Sequence, residues 1–124
     1  MGREAPDARV ALSMWIMVSG PYRSGAADAE QRARNLTAMN ETALAVFRAG
    51  HVPIIGVNAA LPLIEVAGAE AFDEIMMPLS LALVDRCDAC LRVGGPSKGA
   101  DEEAERFRAS GRPVYGSLAE VPGV

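Results

Sequence analysis

Two short glycine-rich stretches carry the side chains of this sequence that are best suited to chemistry. Residues 19–25 read Ser-Gly-Pro-Tyr-Arg-Ser-Gly, and residues 94–99 read Gly-Gly-Pro-Ser-Lys-Gly. In the first stretch, backbone amides, hydroxyls and a guanidinium precede a predicted helix, a combination that suits a phosphate or the hydroxyls of a sugar. It is neither a Walker loop nor a Gly-x-Gly-x-x-Gly motif. The alternative is a turn that requires glycine and proline for its backbone alone.

Three consecutive acids follow the second stretch. Asp101, Glu102 and Glu103 fall in the first turn of a predicted helix. Acids at this position stabilise a helix by about 0.3–1 kcal/mol each through the helix macrodipole, which is one explanation for all three. The other explanation is that one carboxylate faces a ligand as a nucleophile. Because full burial would strongly raise the pKa of a carboxyl, that nucleophile would have to lie in an open cleft or accept a hydrogen bond, for instance from Tyr22.

The remaining reactive side chains favour structural roles. Cys87 and Cys90 form a lone C-x-x-C beside an apolar run. Residues three apart on a strand point to opposite faces, so we expect buried structural cysteines rather than a redox pair or half of a zinc site. His51 is the only histidine, and its position at the start of a strand favours capping or the surface over catalysis. No metal and no cofactor are predicted, because no cluster of His, Cys or carboxylates has ligand spacing.

Apolar strands alternate with helical patterns along the chain. The predicted strands cover residues 15–18, 52–56, 89–93 and 113–115. The predicted helices cover residues 28–49, 63–86 with a break near Gly68 or Pro78, and 100–110, and residues 58–62 are a predicted loop. Gly50 and Gly111 are predicted to end the first and last helices. The side chains predicted to face the core from the first two helices are Leu36, Met39, Ala43, Val46, Phe47, Met77, Leu81 and Val84.

This alternation predicts an α/β fold with right-handed crossovers and a parallel sheet. We expect a single-domain, Rossmann/flavodoxin-like three-layer sandwich over residues 14–124, after a mobile leader at 1–13, with a four- to five-stranded sheet in the order 2-1-3-4. In a doubly wound sheet of this order, ligands bind outside the carboxyl ends of the strands, where the winding reverses between strands one and three. The two glycine-rich stretches follow those strands and therefore predict one polar cleft.

Composition excludes several classes of partner. Sixteen acids against twelve Lys and Arg, scattered along 124 residues, give a net charge of −4 and argue against a nucleic-acid partner. Prolines and polar residues interrupt the longest apolar tract, residues 52–69, so the sequence predicts no membrane span. The amino terminus has no pattern of an export signal. These features together predict a cytoplasmic protein.

Several motifs resemble one known family. They are Ser-Gly-Pro-Tyr after the first strand, Gly50-His51, Cys87-Asp88, Ser97-x-Gly99-Ala100-x-x-Glu103 and Gly111-x-Pro113-Val114. Together they resemble the nucleoside 2-deoxyribosyltransferase-like superfamily, especially its small bacterial members, over residues 14–121. The serine-glycine-glutamate spacing is similar to that of the nucleotide N-glycosidases in this superfamily.

The resemblance implies an activity and roles for individual residues. Glu103 would attack the anomeric carbon of a nucleotide or nucleoside and release the base, and water or a second base would then free the enzyme. Tyr22 would lie near this nucleophile. The residues that the resemblance and the cleft position assign to substrate binding are Ser19, Gly20, Pro21, Arg23, Asn35, Asp88, Ser97 and Gly99.

One position departs from the family pattern. The transferases and N-glycosidases carry an aspartate eight residues before the aspartate that opens strand three, where it assists protonation of the departing base. This sequence has Ser80 there, and a serine cannot serve as that acid at neutral pH. The possible substitutes on the neighbouring helix are Asp73, Glu74 and Asp85. We also expect no counterpart of the carboxy-terminal extension that completes a neighbour's site in the deoxyribosyltransferases.

These departures favour hydrolysis or simple nucleotide binding over transfer. The alternatives to an N-glycosidase are a non-catalytic nucleotide-binding module and a phosphoribohydrolase resembling the Lonely Guy family, whose glycine-rich loop also precedes a helix with a glutamate. A small domain with a site near a sheet edge often uses a neighbour to close it, so we expect a homodimer or a larger homo-oligomer.

Overall fold

The computed structural model describes residues 13–123, so the predicted leader lies outside the described residues except for Ser13. The strands are β1 (Trp15–Ser19), β2 (Val52–Ile54), β3 (Ala89–Arg92) and β4 (Val114–Tyr115). The α-helices are α1 (Ala29–Arg48), α2 (Gly56–Ala67), α3 (Phe72–Val84) and α4 (Lys98–Ala109). Short 3-10 turns cover Ala69–Ala71 and Leu118–Glu120.

The four strands form one parallel sheet in the order β2-β1-β3-β4, which confirms the predicted fold class and strand order. Side chains alternate between the two faces of β1. Ile16 and Val18 pack with Met39 and Val46 of α1. Met17, on the opposite face, packs with residues of α3 and α4. Right-handed crossovers explain this division, because the chain winds in one direction from β1 to β2 and in the other from β2 through β3 to β4.

Glycines end α1 and α4 as the sequence predicts, and a side-chain cap begins α1. Oδ1 of Asp28 accepts a hydrogen bond from the Gln31 amide at 2.8 Å and begins α1. Gly50 and Gly111 follow α1 and α4 with φ angles of 103° and 76°. Non-glycine residues rarely adopt this left-handed region, so glycine is required where these helices end.

The segment predicted as a loop at residues 58–62 is part of α2 instead. Pro62 lies inside this helix and is exposed, while Ala60 and Ile64 are buried against Met76 of α3. Packing of that apolar face outweighs the loss of one amide hydrogen bond at the proline. A proline in the sequence predicts the lost bond, but it does not predict the packing. Gly68, whose φ is 109°, follows the last residue of α2, which confirms the predicted break at Gly68.

Three predicted core positions, Phe47, Met77 and Leu81, are not buried. Phe47 is 52% exposed on α1. On α3, the buried stripe consists of Met76, Ser80 and Val84, whereas Met77 and Leu81 are only partly buried. The buried stripe differs from the predicted one because α3 packs against both α2 and the sheet. This packing buries Ser80, and a prediction from apolar residues does not include a serine.

His51 is fully buried, so of the two predicted roles, capping or the surface, the surface role is wrong. Its Nδ1 accepts a hydrogen bond from the Met14 amide at 3.2 Å, and its Nε2 lies 2.5 Å from the Pro122 carbonyl oxygen. Because Nδ1 is the acceptor, the ring proton resides on Nε2 and is donated to that carbonyl. The imidazole thus links Pro122, near the carboxy-terminal end of the described residues, to Met14, which precedes β1.

No helix within residues 13–123 combines the length and apolar character needed to cross a membrane.

Arg112 closes the end of α3. Its Nη1 donates to the carbonyl oxygens of Val84 and Cys87 at 2.6 and 2.7 Å. Its guanidinium carbon lies 4.4 Å from the centroid of the Phe107 ring, a cation–π distance. One side chain therefore satisfies helix-terminal carbonyls and joins α3 to α4.

We predict that Arg112→Met lowers the free energy of unfolding by about 2–3 kcal/mol, because two carbonyl groups lose their donor. Chemical denaturation followed by circular dichroism measures this change. The matched control is Arg108→Met, which removes an exposed arginine of α4 and should change stability by less than about 0.5 kcal/mol. Equal losses in the two variants would contradict the prediction.

Candidate functional site

The carboxyl ends of β1 and β3 lie side by side, so the two glycine-rich stretches meet. The Val93 amide donates to the Ser19 carbonyl at 2.9 Å. A Cβ atom on Gly94 would lie 2.7 Å from Cδ of Pro21, and Gly94 has a φ of 80°. Only glycine allows the second stretch to approach the first this closely.

Arg92 holds the turn between β3 and α4 in place. Its three guanidinium nitrogens donate to Asp101 Oδ1 at 2.9 Å, to the Val93 carbonyl at 2.5 Å and to the Gly95 carbonyl at 2.9 Å. Asp101 is therefore an ion-pair partner as well as a helix-terminal acid. Arg92 is not among the predicted site residues, although an arginine at the end of an apolar strand indicates a charged group near the carboxyl edge of the sheet.

Glu103 is the acid of the three that turns toward the sheet. Its Oε1 accepts a hydrogen bond from the Ser19 hydroxyl at 2.7 Å. The Cys90 thiol in turn donates to the Ser19 hydroxyl oxygen at 3.5 Å. Since Ser19 is 1% exposed, its hydroxyl serves to hold the carboxyl group of Glu103.

Opposing effects act on the acidity of Glu103. Burial raises the pKa of its carboxyl above the ordinary value, because the charged form loses hydration. The hydroxyls of Ser19 and Ser80 and the positive charge of Arg92 act in the other direction, since they stabilise the carboxylate. Burial is the largest of these effects, so the net direction is upward.

A pocket of about 170 Å³ opens in front of this carboxyl group. The β1–α1 loop, α3 and the start of α4 form its walls. A second pocket of about 270 Å³ adjoins it, and both are lined by Tyr22, Arg23 and Phe72. We call these two adjoining pockets the cleft; Glu103 lines the smaller of the two.

Six of the ten residues that the sequence assigns to the site line the Glu103 pocket: Gly20, Tyr22, Arg23, Ser97, Gly99 and Glu103. Ser97 also begins α4, because its hydroxyl accepts a hydrogen bond from the Ala100 amide at 3.1 Å. Ser19 contacts Glu103 from behind. The predicted nucleophile and the predicted binding loop are thus brought together by the β1–β3 pairing.

Three predicted binding residues lie elsewhere. Pro21 and Asn35 line a separate pocket of about 260 Å³ beside α1. The Asn35 amide donates to the Tyr22 carbonyl at 2.8 Å, so it supports the loop from outside the Glu103 pocket. Asp88 precedes β3 and accepts a hydrogen bond from the Trp15 amide at 2.8 Å. It therefore lies at the amino-terminal edge of the sheet, where a parallel strand begins rather than ends.

The candidate substitutes for the family aspartate are not inside the pocket. Asp73 is at the mouth, where its Oδ1 lies 3.9 Å from Nη1 of Arg23, and its side chain is fully exposed. Asp85 is at the other end of α3 and pairs with Arg106 at 3.7 Å. Glu74 is exposed and does not line the pocket. Ser80, at the family position, is 1% exposed and lines it.

Three α3 residues of the pocket, Phe72, Met76 and Met77, are not among the predicted site residues, whereas the resemblance singles out Ser80. The four residues face the carboxyl end of the sheet because α3 begins there. The sequence predicts Met77 as a core residue, since nothing in the local pattern distinguishes a pocket wall from a core contact.

Both cysteines are buried and free, as predicted. They nevertheless share one cluster with Met17 and Phe107, because Cys87 precedes β3 and does not follow strand alternation. Burial raises the pKa of each thiol to about 11.

Comparison of the chain with protein-family models and with curated proteins finds no match. Within residues 13–123, no group of three or more His, Cys, Asp and Glu side chains could hold a metal ion.

We predict that Ser19→Ala raises the pKa of Glu103, because the variant loses a hydrogen bond that favours the carboxylate. Carbon-detected NMR titration of the Glu103 side chain measures the pKa directly. Ser24→Ala is the matched control, since Ser24 lines the pocket but bonds to Ser97 rather than to Glu103. A pKa that is unchanged by Ser19→Ala would contradict the prediction.

We also predict a pH-dependent effect of Glu103→Gln on stability. Because the folded-state pKa of Glu103 lies above the unfolded-state value, its contribution to stability is present below the ordinary glutamate pKa and is lost as pH rises through the folded-state pKa. The variant should therefore gain stability relative to the parent protein as pH rises. Urea denaturation at a series of pH values measures the difference, with the exposed Glu102→Gln as control. The same trend in both variants would refute this account.

Proposed function

We propose that this protein is a nucleotide or nucleoside N-glycosidase in which Glu103 is the nucleophile. The observation that supports this most directly is the hydrogen bond from Ser19 to Glu103, which holds a largely buried carboxyl group in the wall of a pocket at the sheet switch point. Ligands of doubly wound sheets bind at this edge.

The cleft dimensions support a ligand with two parts. A pocket of about 170 Å³ is smaller than a typical drug-sized site. It suits one sugar ring, and the adjoining pocket of about 270 Å³ suits a base. Arg23 lines both pockets and carries the charge to bind a phosphate at the entrance.

The proposed reaction passes through a covalent intermediate. Glu103 attacks the anomeric carbon as the bond to the base breaks, and water then hydrolyses the glycosyl ester. Ser19 orients the attacking oxygen. Tyr22 lines the pocket beside Glu103 and positions the sugar.

A second candidate function is nucleotide binding without catalysis. Ser80 favours it, because a hydroxyl occupies the position from which the related enzymes protonate the departing base. The two candidates agree on the ligand and differ in whether the base is released.

Location and assembly are also proposals. Free thiols at Cys87 and Cys90 support a reducing compartment, the cytoplasm. Exposed apolar side chains on α1 and α2, among them Phe47 and Val66, support association into a homodimer or larger homo-oligomer.

We predict that the protein releases free base from members of a panel of nucleosides and nucleoside monophosphates, and that Glu103→Gln lowers the rate by about 10³-fold or more. Liquid chromatography of the base measures release. Glu102→Gln, which removes an exposed carboxyl of the same helix turn, should leave the rate unchanged.

Calorimetric binding of the same compounds separates the two candidate functions. Saturable binding with equal background release from the parent protein and Glu103→Gln would establish a binding module instead of an enzyme. Neither binding nor release across the panel would reject both functions.

A further inference from the structure

The Phe72 ring already holds a planar cation. The guanidinium carbon of Arg23 lies 4.0 Å from the ring centroid, where the negative face of an aromatic ring attracts positive charge. Phe72 lies between the two pockets and lines both. The cleft therefore has an aromatic surface for a flat, positively charged group within reach of the Glu103 pocket.

The Arg23 guanidinium can leave this ring at little cost. Its side chain is 55% exposed, and its ion pair spans 3.9 Å to a fully exposed Asp73. Exposed pairs of this kind contribute little to stability. A ligand can therefore take the place of Arg23 over Phe72, and the freed guanidinium can move to a phosphate of the same ligand.

Apart from Arg23, the described side chains that line the pocket together with Glu103 are uncharged, and Arg92 acts on the carboxyl from outside the pocket. A Cβ atom on Gly56 would lie 2.1 Å from the Ser80 hydroxyl oxygen, so the backbone of α2 closes the space behind Ser80. Met76 and Met77 contribute thioethers to the pocket wall. Glu103 is the single carboxylic acid among the described residues that line this pocket.

This arrangement limits the leaving groups that the site can release. A neutral base departs as an anion unless an acid protonates it, which is general acid catalysis. A base that is cationic while bonded to the sugar departs as a neutral molecule, because the electrons of the broken bond cancel its charge. Such a leaving group requires no proton.

We propose that the substrates are N-glycosides with a planar, cationic leaving base, such as a pyridinium or an N-alkylated purine. This inference rests on the proposed glycosidase function and specifies its substrate class. The base stacks on Phe72, and the negative charge of Glu103 attracts the cationic glycoside.

Each step balances without an acid from the protein. An oxygen of Glu103 bonds to the anomeric carbon as the carbon–nitrogen bond breaks, and that electron pair passes to the ring nitrogen. Water then attacks the same carbon, the ester bond to Glu103 breaks, and the carboxylate is restored. One proton per turnover goes to the solvent.

The test compares two compounds that differ in the charge of the base, 7-methylguanosine monophosphate and guanosine monophosphate. Because the methylated compound is intrinsically more labile, each rate is divided by the rate with Glu103→Gln. We expect this Glu103-dependent acceleration to be at least about 100-fold greater for the methylated compound. One proton should be released per base in a pH-stat held below the pKa at which the methylated base loses its N1 proton.

A second variant tests the aromatic surface. Phe72→Leu keeps an apolar side chain and removes the ring, and we expect the KM for the methylated compound to rise about 5-fold, the scale of one cation–π contact. Phe72→Tyr should restore the parent KM. An unchanged KM in Phe72→Leu would overturn the role of the ring.

The outcomes separate the two levels of the proposal. Equal Glu103-dependent acceleration for both compounds would overturn the cationic substrate class and leave the glycosidase function standing. Release that does not depend on Glu103 for either compound would reject the glycosidase function itself.

Discussion

The pairing of β1 with β3 is the constraint on which the candidate site depends. It places Ser19 opposite Arg92 in the sheet, so that one residue holds Glu103 and the other holds the turn that leads into α4. Parallel strands end at the same edge, and the chain must leave both ends through loops. Ser19 and Glu103 come within hydrogen-bond distance because both loops leave the sheet at this shared edge.

Burial of Glu103 has a cost that a purely structural domain would avoid. Ionising a carboxyl away from water is unfavourable unless donors compensate for the lost hydration. The described structure supplies the Ser19 hydroxyl, oriented in turn by the Cys90 thiol, and both of these residues are buried in the paired strands β1 and β3. This series of hydrogen bonds, from Cys90 to Ser19 to Glu103, holds the carboxyl group in one orientation, in which it faces the pocket.

Much of the fold was predictable because its determinants are local. Apolar runs identified the strands, and Asp28, Gly50 and Gly111 identified helix ends. The α2–α3 region was less predictable. Pro62 suggested a loop, and a buried Ser80 shifted the stripe of α3 by one position. In both places, packing between two helices decided the outcome, and a one-dimensional pattern does not contain that contact.

The sequence by itself determined the succession of strands and helices along the chain, the two glycine-rich turns and the presence of a carboxylate after the second, because backbone conformation and hydrophobic period are properties of neighbouring residues. Tertiary structure alone decided that Ser19 supports Glu103, that Asp88 and Asn35 lie outside the pocket, and that Phe72 lies inside it. Those relations join residues far apart in the chain, as Ser19 and Glu103 are, and they arise only when the sheet brings the ends of its strands together.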